Sequence, residues 1–118
     1  GVMVTNNAEA LTTLTISDSV ISRVTNHAVT ATNQANFGKV RITVTRSTIE
    51  RANKALYSLD TAASFGEAQI TVGSSTITEN SQAWHQEGPG SVILSLGNNQ
   101  VSGNTGLPTG ILTALPPQ

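Results

Sequence analysis

An all-β fold, wound as one parallel β-helix of about four rungs with a C-terminal cap, is predicted by three observations. The phrase "RITVTRSTIE" (41–50) returns as "QITVGSSTIT" (69–78) and, more loosely, as "TLTISDSVIS" (13–22). Within each copy, apolar and polar residues alternate with the period of a strand that buries one face. Charged residues make up only 11% of the 118 residues, and Thr, Ser and Asn take their place, which suits β-rungs and tight turns better than helices.

The repeat sets the register. Leu14-Thr15-Ile16, Ile42-Thr43-Val44 and Ile70-Thr71-Val72 stand at a constant offset of 28, as do Ser19, Ser47 and Ser75, and Ile21, Ile49 and Ile77. The same offset carries Phe37-Gly38-Lys39 onto Phe65-Gly66-Glu67. A fourth copy, "ILSLGNNQVSGN" (93–104), follows at an offset of 24, with the shortening placed around "EGPG" (87–90). That alignment puts Leu94, Leu96, Asn99 and Val101 in the positions of Ile70, Val72, Ser75 and Ile77. If each repeat is one rung, equivalent residues lie about 4.8 Å apart. Three aliphatic ladders then form: Leu14/Ile42/Ile70/Leu94, Ile16/Val44/Val72/Leu96 and Ile21/Ile49/Ile77/Val101. Ser19, Ser47, Ser75 and Asn99 form a polar ladder at the corner, where side chains satisfy backbone groups.

Charge supports this register independently of hydrophobicity. Stacking by 28 sets Asp18 beside Arg46, Lys39 beside Glu67 and Arg51 beside Glu79, in a chain with only six basic and seven acidic residues. Arg23 over Arg51 is the one like-charged neighbour against it.

Each rung holds three short strands. The first is the "ITVT" type and the second follows the "RS" or "GS" turn. The third is Ala28-Val29, Ala55-Leu56 or Ala83-Trp84, and "GVMV" (1–4) matches it as the remnant or edge of a preceding rung. The chain divides into residues 1–7 as that edge, 11–104 as repeats and 105–118 as the cap. The first residues are thus expected to belong to a longer β-helix, with an open N-terminal rung available for self-association. In the cap, Pro108, Pro116 and Pro117 remove ladder donors, and Ile111, Leu112 and Leu115 are expected to fold over the last rung. No 3.6-residue apolar period is long enough for a helix.

Three short strands per rung, carried by "LTISDSVIS", "ITVTRSTIE", "ITVGSSTIT" and "LSLGNNQVSGN", resemble the right-handed parallel β-helix of pectin-lyase-like proteins. That resemblance implies a secreted or surface location, and polysaccharide as a partner. It also raises the prospect of a polysaccharide lyase or hydrolase. Such enzymes need carboxylates clustered on one outward strand, to bind calcium or to act as acid and base. Here the outward positions of the first strand are Thr15/Ser17, Thr43/Thr45, Thr71/Gly73 and Ser95/Gly97. The family's catalytic motifs find no matching positions, so any active site is expected in rungs outside this chain.

Other classes are constrained by composition. A net charge of −1 offers no basic field for nucleic acid or anionic lipid, and no apolar run approaches a membrane span. Without cysteine there is no disulfide or thiolate metal site, and no cofactor or metal is implied. The expectation is a non-catalytic structural or interaction module that contacts carbohydrate.

Candidate contacts are few. Tyr57 and His85 occupy equivalent positions on adjacent rungs and offer a two-rung sugar platform, with His85 near Glu79 and Glu87. Trp84 replaces Leu56 and so is expected in the core, which leaves His85 outward and solvated. His27 reads as ordinary surface. Asn98 and Asn99 can bind sugar hydroxyls, although tight corners require the same residues. Finally, the outward column Thr15/Thr43/Thr71/Ser95 stacks hydroxyls that can order water, which makes ice binding a third reading. The neighbouring column, Ser17/Thr45/Gly73/Gly97, fails to continue that face.

Overall fold

In a computed structural model, which describes residues 1–61 and 65–115, the chain is a β-solenoid of about four turns with a period of about 28. Pro116 and Pro117 lie outside the described residues, and no helix occurs among those described. Each turn runs through a seven-residue strand, a three-residue strand and a six- or seven-residue strand.

Three parallel sheets result. Sheet A has the order β1-β4-β7-β10, from Val2–Asn6, His27–Asn33, Lys54–Asp60 and Gln82–Glu87. Sheet B has the order β13-β11-β8-β5-β2, from Leu112–Ala114, Ser91–Gly97, Glu67–Gly73, Lys39–Thr45 and Leu11–Ser17. Sheet C has the order β12-β9-β6-β3, from Gln100–Ser102, Thr76–Thr78, Thr48–Glu50 and Val20–Ser22. The register in sheet B is Leu14↔Ile42↔Ile70 and Ile16↔Val44↔Val72, and in sheet C it is Ile21↔Ile49↔Ile77↔Val101. Strand β1 takes the third-strand place, with Val2 beside Val29, then Leu56 and Trp84.

The core is a narrow stack of aliphatic residues. Ile42, Ile49, Leu56, Ile70, Ile77 and Ile93 are fully buried, each contributing about 1.5–3 kcal/mol by leaving water.

Corners are built from left-handed backbone followed by a hydrogen-bonding side chain. Asp18, Arg46, Ser74 and Asn98 carry φ of 51°, 47°, 49° and 56° between sheets B and C, a conformation that costs an L-residue about 1–2 kcal/mol. Beside each, a short side chain serves two turns at once. Ser47 Oγ donates to Thr45 O (2.8 Å) and accepts from the Ser19 amide (3.2 Å). Ser75 repeats this toward Gly73 O and the Ser47 amide, and Asn99 Oδ1 accepts from the Ser75 amide at 2.9 Å. A second ladder, not expected from the sequence, runs along the far corner of sheet C. Asn80 Oδ1 accepts from the Ala52 amide and Asn104 Oδ1 from the Asn80 amide, both at 2.9 Å.

The last turn corrects the expected register. Ile93, not Leu94, lies beside Ile70, and Ser95, not Leu96, lies beside Val72. A bulge between Ser95 and Gly97 absorbs the extra residue and restores Gly97 beside Gly73. A one-residue slip sends each side chain to the opposite face, so Leu94 faces outward beside Thr71 and Leu96 is 46% exposed over Gly73.

The C-terminal segment extends the coil instead of crossing its end. The Thr105, Gly106 and Thr109 amides donate to Asn80, Ser81 and Trp84 carbonyls, and Leu112 of β13 sits beside Ile93. Leu112 packs on the core, whereas Ile111 is 77% exposed.

Candidate functional site

The outward side of sheet A gathers the rings. Register places Met3, Thr30, Tyr57 and His85 in one column. Tyr57 stacks on His85 with ring centroids 5.2 Å apart, and on His27 at 4.2 Å. His27 joins although its own register partner is Lys54, whose ammonium lies 5.8 Å from the Tyr57 ring. The result is a ladder of three rings along the coil. His85 Nε2 lies 3.1 Å from Glu87 Oε1, and the Tyr57 hydroxyl reaches Glu87 Oε2 at 3.5 Å.

This geometry revises three expectations. His85 is outward, but its side chain is only 17% exposed and its Nδ1 is buried without a hydrogen-bond partner, so it is packed rather than solvated. Tyr57 is not an open platform by itself: His27 and His85 stack on it at 4.2 and 5.2 Å, so a sugar would meet the edge of the three-ring ladder rather than a free Tyr57 face. His27, read as ordinary surface, is one end of the stack. The sequence hides it because His27 is not in the Tyr57–His85 column: register sets it beside Lys54 and Thr30 beside Tyr57, and only the side-chain ring of His27 reaches Tyr57.

Burial lowers the His27 pKa from its ordinary value of 6.5, and the charges of Lys54 and then His85 lower it further. Burial likewise raises the Tyr57 hydroxyl above its usual 10.0, aided by Glu87. The ladder is therefore favoured with a neutral imidazole at His27 and a neutral phenol.

His27 also borders an open concavity of about 350 Å³. Its other lining residues are Gly1, Val2, Met3, Val24, Asn26 and Thr30.

Sheet B presents a different outward face. Thr15, Thr43 and Thr71 do stack, but the next place is taken by Leu94 rather than Ser95, which breaks the hydroxyl column. Among the ion pairs, Arg46 grips both Asp18 oxygens at 2.8 and 2.9 Å, and Arg51 meets Glu79 at 2.9 Å. Lys39 is beside Glu67 in register, yet Glu67 bonds Arg41 at 3.0 Å instead. The longer guanidinium reaches the diagonal neighbour, as long side chains do across strands.

Asn99 is occupied by its own chain. Its Oδ1 accepts from Ser75 while its Nδ2 donates to Val72 O and Ser95 Oγ, both at 3.0 Å, leaving it no role in holding a sugar. Asn98 supplies the left-handed corner. No family model, curated protein or solved structure matches this chain.

Proposed function

We propose that the chain is a non-catalytic structural or interaction module of a secreted or surface β-helix protein, and that it contacts carbohydrate through the outward side of sheet A. The observation that carries this reading is the His27–Tyr57–His85 ladder with Lys54 and Glu87 at its sides. Rings that offer C–H surface and hydrogen-bonding edges together are the side chains that suit a sugar's own mixture of apolar and hydroxyl faces. The parallel three-sheet coil supports placing the chain with right-handed, pectin-lyase-like β-helices, right-handed crossovers being the rule for parallel strands.

The test is retention on a panel of insoluble and immobilised neutral and acidic polysaccharides. Native protein is expected to be retained by at least one, with about tenfold weaker retention for Tyr57→Ala, which separates the two histidines. No retention on any of them sinks the reading.

A further inference from the structure

The ring ladder is closed at His85 by a segment that buries none of its own side chains. Residues 105–111 run along β10 and are exposed throughout, Leu107 and Ile111 at 87% and 77%. Both flanks are anchored: Asn104 accepts from the Asn80 amide in the corner ladder, and Leu112 packs on the core within β13. Between these anchors the segment is a strap whose own side chains give up no burial when it lifts, the mark of a locally opening unit.

What holds the strap is polar and wet. Gln82 Nε2 donates to Leu107 O at 2.8 Å, Trp84 Nε1 to Gly110 O at 3.2 Å and Gln86 Nε2 to Ile111 O at 2.8 Å. The Ile111 amide returns a bond to Gln86 Oε1 at 3.1 Å. These bonds are exposed, so water replaces each at small net cost. Backbone pairing adds the Gly106 amide on Ser81 O, the Thr109 amide on Trp84 O and the Gln86 amide on Thr109 O, which makes an isolated bridge at His85 rather than a strand. Gly110 has a φ of 91° and lies against the Gln86 side chain. A β-carbon there would meet Gln86, so the strap closes only because that position is bare.

Beneath the strap lies an unmade bond. Tyr57 takes one face of the His85 ring, and Thr109 is its neighbour on the other side in the outward column. With Nε2 donating to Glu87, Nδ1 is an acceptor, and it is buried without a partner among the described residues. A buried polar atom left unpaired carries a penalty, which the closed strap retains and the lifted strap sheds.

We propose that residues 105–111 are a releasable strap that masks a carbohydrate subsite on His85. When it lifts, the face of His85 turned away from Tyr57 takes the C–H face of a sugar ring, and Nδ1 accepts from a sugar hydroxyl. A bare aromatic ring would fill the same place and leave Nδ1 unpaired, which discriminates against it. This assignment rests on the carbohydrate reading above and adds its regulation: apparent affinity scales with the fraction of molecules whose strap is open.

The test reads the strap and the subsite separately. Trp84 is the only tryptophan, so its indole N–H, bonded to Gly110 O, is a single hydrogen-exchange reporter in the full chain. That N–H and the Thr109 amide are expected to exchange at least about tenfold faster than the amides of β5 and β8. Two variants loosen the strap from opposite sides: Gln86→Ala removes a clip, and Gly110→Ala puts a β-carbon against Gln86 without touching β10. Both are expected to speed exchange further and to raise retention on the polysaccharide panel about threefold or more. Adding His85→Ala to Gly110→Ala is expected to abolish that gain.

Exchange no faster than in β5 and β8 makes the strap part of the coil and overturns the proposal. Faster exchange in Gly110→Ala with unchanged retention overturns the gating, and a gain that survives His85→Ala overturns the subsite. In both cases retention of the native chain leaves the broader carbohydrate reading standing. If neither the native chain nor the loosened variants are retained, the two readings fall together.

Discussion

Single residues hold this coil together at its corners. Asn80 is the clearest case: it is 1% exposed and bonds the Ala52 amide, Ile49 O and Asn104 Oδ1. Asn80→Ala would strand the buried Ala52 amide, so urea unfolding is expected to show a loss of about 1–3 kcal/mol. His27 makes the chain acid-sensitive. Its folded pKa lies below the unfolded 6.5, so the unfolded chain takes up the proton more readily. Stability at His27 is complete above pH 6.5, falls as pH drops below that value, and levels off below the folded pKa. Denaturation midpoints measured between pH 7.5 and 5 are expected to decline, and His27→Gln to flatten the decline. Asp18, whose carboxyl Arg46 holds below 3.8, adds a second loss only in stronger acid.

At the scale of elements, β11 is where two registers compete. Alternation alone favours the expected alignment, because Val92, Leu94 and Leu96 share one face of "VILSL", whereas the face turned inward carries Ile93 between Ser91 and Ser95. The 24-residue offset, correct for Val101 and Asn99, fails further back because it crosses a bulge that nothing in the composition marks. Thermodynamics distinguishes the two registers in a simple experiment. Ile93→Ala is expected to cost about 2–5 kcal/mol, while Leu96→Ala is expected to cost less than about 1 kcal/mol, since its side chain is half exposed already. The opposite order would favour the alignment with Leu94 and Leu96 inside. Elsewhere the elements are legible. Serines repeating every 28 residues beside charged or small residues mark a corner ladder, and "GVMV" declares its sheet through one aligned pair, Val2 with Val29. The Asn80–Asn104 ladder escapes a sequence reading because the equivalent places in earlier turns hold Val24 and Ala52, which give the column no polar signature.

For the whole molecule, the two ends of the coil are unequal. At the C-terminal end, residues 105–115 lie on sheets A and B. At the N-terminal end, β1, β2 and β3 are edge strands, with Met3, Leu11 and Val20 exposed at 66%, 54% and 70%. Open parallel edges with apolar side chains favour association. Light scattering across a concentration series is expected to show self-association of the native chain, reduced in Leu11→Lys/Val20→Lys. Strict monomer at every concentration would count against it.

The corner ladders also give the molecule a direction. In each, the amide of one turn donates to a side chain of the following turn, from Ser19 to Ser47 to Ser75 to Asn99. A turn therefore carries the socket for its predecessor and borrows one from its successor. The coil behaves as a ratcheted stack in which an extra 28-residue unit spliced into the middle finds both contacts already cut to fit. Each such unit would lengthen the axis by about 4.8 Å and leave the cross-section untouched, so that length becomes a quantity that simple gene duplication can count out.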